Sequence, residues 1–495
     1  MSGAPASVSG ADTLIRNAMV VTMDADRRVF TDGWLAMRGG VIAGVGAMAT
    51  CPPIAGPDAP RAVVDARGGM VMPGMVNAHN HLIQIAFRGY NDDRWPVLDI
   101  PGAVRALMRQ LFALAGRLDG ERARAIVRLH ALDLLKNGYT ATHDEHFTNV
   151  LADCADGAFA GLAESGMRGF LTRCICDAGV PEEGRETVEA GLAQVERLHA
   201  TFASDRLRVA AGFLNFNFRA RPETMGEIRR GALALGVPFG VDMTDNARGA
   251  TLRARGYEGG QVEYYRDQGL LDDGPIYAGK AVHVLPHEWA ILAQRDCRLG
   301  LVPVLRFFDG VGVPAHHMLA AGLLPGIGTD APLVSDSQNP FEIMRQLILA
   351  QNLWLKRSGE DKPAPDLWLN AERVLEMATL GGARALLMEQ ETGALVPGMA
   401  ADVVVIDTAR ATLAPSHGRR RAVGALVWGG QGADVRHVFV AGTQLIANGR
   451  STRWDEEAIV TEAEAALAAI ARETELDTML PPRMAGHSYR EWRYE

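Results

Sequence analysis

The stretch "NAHNHL" sets His79 and His81 one residue apart in a chain that holds 13 histidines. Alternate side chains of a strand face the same way, so the two imidazoles would lie on one side and could share a metal ion. Further polar groups stand where short apolar runs end: His143, Asp144 and His146; Asn215 and Asn217; Asp242 and Asp245; Lys280 and His283; Arg306; Asp330. In "THDEHF" the same alternation puts His143 and Glu145 on one face and Asp144 and His146 on the other, so the two histidines point apart unless the strand turns. Either is a candidate substrate contact, replacement ligand or acid/base group. Lys280 can bind a substrate carboxylate or a developing oxyanion, or serve as a base if desolvated; it can equally pair with Asp242 or Asp245 and fill the space of an ion. Arg306 offers a second anion contact. Asn215 could touch substrate or cap a strand, and Trp95, with Phe307 and Phe308, could form a platform for a flat ring or simply pack. Cys174 and Cys176 read as small buried hydrophobes.

These residues need elements that bring them together. At 495 residues the chain exceeds the roughly 250–300 at which one core stops growing, so more than one domain is expected. Apolar residues make up 48% and charged residues 22%, the balance of a globular enzyme and not of a disordered chain. The net charge of −9, with no basic run beyond "HGRRRA" at 417–422, argues against nucleic acid as a partner. The five cysteines are scattered without paired spacing, which argues against disulfides and a structural zinc site and fits the cytoplasm. No basic leader with an apolar run opens the chain, and no stretch reaches about 18 uninterrupted apolar residues, so neither export nor a membrane span is expected.

Short apolar runs broken by Gly and Asp fill the segment before Val71 and return after about Gly393, so the two ends look alike. Between them, eight candidate strands alternate with helical stretches: 71–81, 139–146, 169–177, 207–217, 238–245, 276–284, 299–305 and 324–330. Eight β/α alternations predict a closed parallel (β/α)8 TIM barrel, an α/β fold, with a doubly wound sheet as the competing string. In a barrel, the polar strand ends converge on one mouth. The expected domains are residues 1–70 and 393–450 as the two parts of a β-sandwich, 71–392 as the barrel, and 451–495 as a C-terminal helical extension and tail.

Several motifs, in order, resemble the amidohydrolase superfamily, in particular its branch of atrazine chlorohydrolase, melamine deaminase and related aminohydrolases. "PGMVNAHNHLIQIAFRG" (73–89) is similar to that branch's first strand, "NGYTATHDEH" to its second, "GIGTDAP" to its eighth, and "GALVPGMAADVVVID" to its return to the sandwich. The resemblance implies a (β/α)8 barrel holding one divalent metal ion per subunit that activates water. It also implies two histidine ligands from strand one, one from strand five and an aspartate from strand eight; His79 and His81 match the first pair and Asp330 the last. Strand five departs: its HxxE appears as "DMTD", so Asp242 stands at the ligand position and Asp245 at that of the proton-shuttling glutamate. Lys280 replaces the substrate-polarising histidine of strand six.

The expectation is therefore an N2O2 site of His79, His81, Asp242 and Asp330, for zinc, iron or manganese, with the harder donor set favouring the latter two. Asp245 and Asp330 would move protons, and Lys280 would polarise or anchor the substrate. The expected reaction is hydrolysis of a C–N bond, or a C–Cl bond, in a small cyclic or aromatic nitrogen-containing molecule that Lys280 and Arg306 would suit to carry an acidic group. Amide or urea hydrolysis, or a lyase or decarboxylase step using Lys280, is the first alternative; a metal-free binding or assembly protein is the second. A homo-oligomer is expected by the same analogy.

Overall fold

The computed structural model describes residues 10–89, 100–214, 220–245, 249–308, 312–335, 337–415 and 421–474, with the side chains of 100–107 and 306–308 excepted. Eight strands form one parallel sheet: β1 (Met75–Asn77), β2 (Tyr139–His146), β3 (Arg168–Ile175), β4 (Leu207–Phe213), β5 (Phe239–Thr244), β6 (Ile276–Val282), β7 (Cys297–Leu301) and β8 (Gly326–Ile327). Each pairs with its sequence neighbour. The sheet closes where the Ala78 N–H donates to the Ile327 carbonyl at 3.0 Å and the Asp330 N–H to the His79 carbonyl at 3.1 Å. The fold is therefore the expected (β/α)8 barrel.

The barrel forms because each strand is buried on both faces and each intervening helix is amphipathic. The helix Gly120–Lys136 starts where Asp119 accepts from the Arg122 N–H at 2.9 Å, and the helix Val188–Phe202 starts on Thr187 in the same way. Gly166 and Gly236 end the helices Cys154–Ser165 and Pro222–Leu235 in the left-handed conformation.

The first, seventh and eighth strands are shorter than expected. Residues 71–81 divide at Gly74: Met70–Pro73 pairs antiparallel with Val403–Ile406 outside the barrel, and only Met75–Asn77 enters it. A Cβ at Gly74 would meet Thr140 Oγ1 at 2.0 Å, so the chain changes sheets at the residue that can pass there. Strand seven ends at Leu301 because Pro303 opens the helix Pro303–Phe308. Strand eight keeps two residues of the seven expected.

Both chain ends build the second domain, whose strands join in one nine-stranded mixed sheet. Its strands alternate between two cores. Met70, Met72, Val404 and Ile406 join the large core under the barrel helices, while Val71, Val403 and Val405 pack with Ile15, Val20, Leu35 and Phe439. The helix Glu456–Thr474 lies against Gly120–Lys136, with Arg128 Nη1 2.9 Å from Glu462 and Lys136 Nζ 2.6 Å from Glu456. Among the described residues no helix is long and apolar enough to cross a membrane.

Candidate metal centre

His79 and His81 follow β1, and Asp330 follows β8, so the closing seam of the barrel brings them together at its C-terminal mouth. One ligand atom of each lies within 4.8 Å of the others. His81 Nε2 stands 3.1 Å and His79 Nε2 3.6 Å from Asp330 Oδ1. The seam is fixed by Asn77, whose amide donates to Thr329 Oγ1 at 2.8 Å and whose carbonyl oxygen accepts from the Thr329 N–H at 3.1 Å.

The partners of the two imidazoles decide their tautomers. Tyr277 donates its hydroxyl to the Ala78 carbonyl at 2.8 Å, so it must accept from His79 Nδ1, also at 2.8 Å. His81 Nδ1 faces the Glu145 carbonyl at 2.8 Å, and a carbonyl only accepts. Both rings therefore carry their proton on Nδ1 and turn Nε2 to the centre, the arrangement of metal-ligating histidine. His79 Nε2 is buried and has no hydrogen-bond partner among the described residues. Burial, then the charge of Lys280, hold His79 well below the ordinary histidine range, so it is neutral. Burial also pulls down His81, but its hydrogen bond to Asp330 prevails and raises it. A proton or a cation must lie between His81 Nε2 and Asp330; a divalent ion fits these donors.

Beside this trio lies a second group. Lys280 Nζ donates to Asp242 Oδ2 at 3.1 Å and stands 3.7 Å from Glu145 Oε2. Burial would lower the ammonium's pKa, but Asp242, Asp330 and Glu145 raise it above its ordinary value, so Lys280 stays a cation. Burial and the Asp242 carboxylate push Glu145 up to about 7, against Lys280 and His81. Burial also works against ionised Asp330, but Lys280 and His81 hold its pKa below the ordinary value. Lys280 and Asp330 adopt φ of +65° and +61°, conformations rare for L-residues and concentrated at functional sites.

Residues 70–445 match the Amidohydrolase family. The chain belongs to the amidohydrolase family. Among curated relatives, the 5-methylthioadenosine/S-adenosylhomocysteine deaminase of Natronomonas pharaonis is 30% identical, with 84% of this chain and 90% of the relative covered. That of Nitratidesulfovibrio vulgaris is 29% identical over 91% and 96%. Among solved structures, the zinc complex of atrazine chlorohydrolase from Arthrobacter aurescens superposes with a TM-score of 0.78 at 22% identity, covering 92% of this chain and 100% of that one. A zinc-bound adenosine deaminase from Xanthomonas campestris gives 0.78 at 22%, covering 94% and 99%. These similarities in structure show the shared fold. As a member of this metal-dependent family, the chain is a hydrolase acting on carbon–nitrogen bonds.

Against the amidohydrolase pattern, the structure brings His79, His81, Asp330, Lys280 and Asp242 to one place. Asp242, the expected fourth ligand, accepts from the Thr244 hydroxyl at Oδ1 and from Lys280 at Oδ2, and is not among the three residues whose ligand atoms lie within 4.8 Å of one another. Asp245 Oδ2 accepts from the Gly249 N–H at 2.6 Å, an anchor for the loop after β5. His143 points inward but sits wholly buried beneath the site, with Nε2 2.9 Å from Thr172 Oγ1 and its ring 4.2 Å from that of Tyr277; burial takes it down to about 3. His146 points the other way, towards Asp144 and the Phe159 ring of Cys154–Ser165, away from His79 and Asp330. Trp95 and Asn215, and the Arg306 side chain, lie outside the described residues. Cys174 and Cys176 are buried and raised by that burial, as small hydrophobes are. The residue that sequence reasoning passed over is Glu145. Strand alternation places it on one face with His143, and the burial of that face at the mouth is what makes it part of the site.

Proposed function

We propose that the chain is a metal-dependent aminohydrolase that removes an amino group from a purine-nucleoside-like or similar nitrogen heterocycle, with His79, His81 and Asp330 holding the ion. The observation that carries this reading is the pair of Nδ1-protonated imidazoles whose Nε2 atoms face Asp330. A bound divalent ion supplies Lewis acidity and lowers the pKa of water at the reacting carbon. The overall reaction adds water at the amine-bearing carbon, releases ammonia and leaves a carbonyl. Asp330, held ionised, accepts the proton of the attacking water and returns it to the leaving amine. Lys280, held as a cation, orients an electronegative atom of the substrate and cannot act as a base while it stays paired with Asp242.

Support for the substrate class comes from the deaminase relatives, including the 5'-deoxyadenosine deaminase of Methanosarcina acetivorans at 27% identity over 92% of this chain. The donor set of nitrogen and carboxylate oxygen suits iron or manganese as well as zinc. Elemental mass spectrometry of protein purified without chelator, beside His79→Ala/His81→Ala, is the deciding measurement. About one ion per chain, lost in the variant, is expected. The same preparation should release ammonia from methylthioadenosine, S-adenosylhomocysteine or 5'-deoxyadenosine. No ion after incubation with zinc, iron and manganese would sink the reading; chloride release from a triazine without ammonia release would redirect it to C–Cl hydrolysis.

A further inference from the structure

We propose that Glu145 on β2 is the fourth ligand of the metal centre, in the role the family gives to strand five, and that Lys280 and Asp242 form a permanent ion pair beside the ion. This rests on the reading that His79, His81 and Asp330 hold a divalent cation.

Four observations lead there. Glu145 Oε2 is buried and has no hydrogen-bond partner among the described residues. It faces His81 Nε2 at 3.6 Å and His79 Nε2 at 3.8 Å, while those atoms lie 3.1 and 3.6 Å from Asp330 Oδ1. Donors about 2.0–2.1 Å from a tetrahedral ion are about 3.4 Å apart, which these four edges approach. Of these four residues, His79, His81 and Asp330 already satisfy a common 4.8 Å separation. Glu145 Oε2 lies next to this trio, between the histidines and Lys280 Nζ at 3.7 Å.

Second, Asp242 is already engaged by Lys280 and Thr244. Releasing it would take from the buried Lys280 ammonium the carboxylate to which it donates at 3.1 Å. The backbone reinforces this pair: a register shift between β5 and β6, with left-handed φ at Lys280 and Ala281, turns the ammonium onto Asp242. Third, the backbone carbonyl of Glu145 already fixes the His81 ring, so one residue both orients a ligand and presents a donor. Fourth, charges balance. Glu145, Asp242 and Asp330 oppose one ammonium in a buried cluster, leaving two negative charges that a divalent ion neutralises.

The test is titration of the metal-free full-length protein with zinc by chelator competition, and with cobalt(II) by visible absorption. Glu145→Gln should weaken zinc binding about 100-fold or more and change the cobalt band. Asp242→Asn/Lys280→Met, which removes the pair without leaving a lone charge, should bind within about fivefold of the parent with a parental cobalt spectrum. Glu145→Cys serves as a gain-of-signal variant, since only a ligating thiolate adds a cobalt–sulfur charge-transfer band. Parental affinity in Glu145→Gln, no such band in Glu145→Cys, or equal loss in the pair variant would each overturn the proposal. A parent that binds no ion would remove the reading beneath it as well. Binding by the parent and by Glu145→Gln alike removes the Glu145 role alone.

Discussion

Tyr277 shows how one hydroxyl can decide the chemistry of a ring it does not share a strand with. By donating to the Ala78 carbonyl it leaves only its lone pairs for His79, which forces the His79 proton to Nδ1 and frees Nε2. Burial then keeps that ring neutral. Tyr277→Phe removes the acceptor, leaves a buried N–H and a buried carbonyl unpaired, and lets the imidazole change tautomer. The expected result is a 10–100-fold weaker zinc affinity with the fold retained at a cost of about 1–3 kcal/mol. Chelator competition and thermal unfolding measure the two effects separately. A zinc affinity unchanged from the parent would show that the ring is held by packing and not by the hydroxyl.

At the scale of elements, the site depends on β8 passing unusually close to the segment that follows β1. Gly328 makes that approach possible: a Cβ there would lie 2.5 Å from the His79 nitrogen and 2.6 Å from its carbonyl oxygen. Gly328→Ala should therefore cost about 1–3 kcal/mol or more and reduce metal binding by forcing Asp330 away from the histidines. Parental metal affinity in that variant would show that the seam has slack. The same seam explains what was readable from sequence. HxH and the Asp330 strand end could be read because a metal site requires particular residue types at fixed spacing, and eight β/α alternations carried the barrel. The change of sheets at Gly74 could not: Pro73-Gly74 marks a turn in "VMPGMVN", but the pairing of Met70–Pro73 with Val403–Ile406 and the close approach of Thr140 are tertiary facts. The pairing of Asp242 with Lys280 stood in the sequence only as one of the alternatives open to the lysine. The place of Asp242 in "DMTD" is a ligand's place, and only the bulge in β6 shows that Lys280 reaches it first.

Across the whole molecule, stability and chemistry are placed at opposite ends of the barrel. Arg168 opens β3 at the N-terminal end, and its Nε donates to Asp402 Oδ2 at 2.6 Å with both groups buried. Asp402 Oδ1 accepts from the Ala441 N–H at 2.7 Å, and its backbone carbonyl accepts from Gly74 N–H at 3.0 Å. One aspartate thus joins the barrel, the crossing point between sheets, and the mixed sheet. Asp402→Ala leaves the Arg168 guanidinium buried with its nearest carboxylate gone and should cost about 3–5 kcal/mol, seen as a lowered melting temperature. Arg168→Met/Asp402→Leu, which replaces the pair by apolar groups, should recover most of the loss. Because conservation of the mouth needs only the upper strand ends, both variants should still bind metal with the parental stoichiometry. A double variant as unstable as Asp402→Ala would mean that the aspartate acts through its Ala441 contact, whereas metal lost along with stability would mean that the two ends of the barrel are coupled.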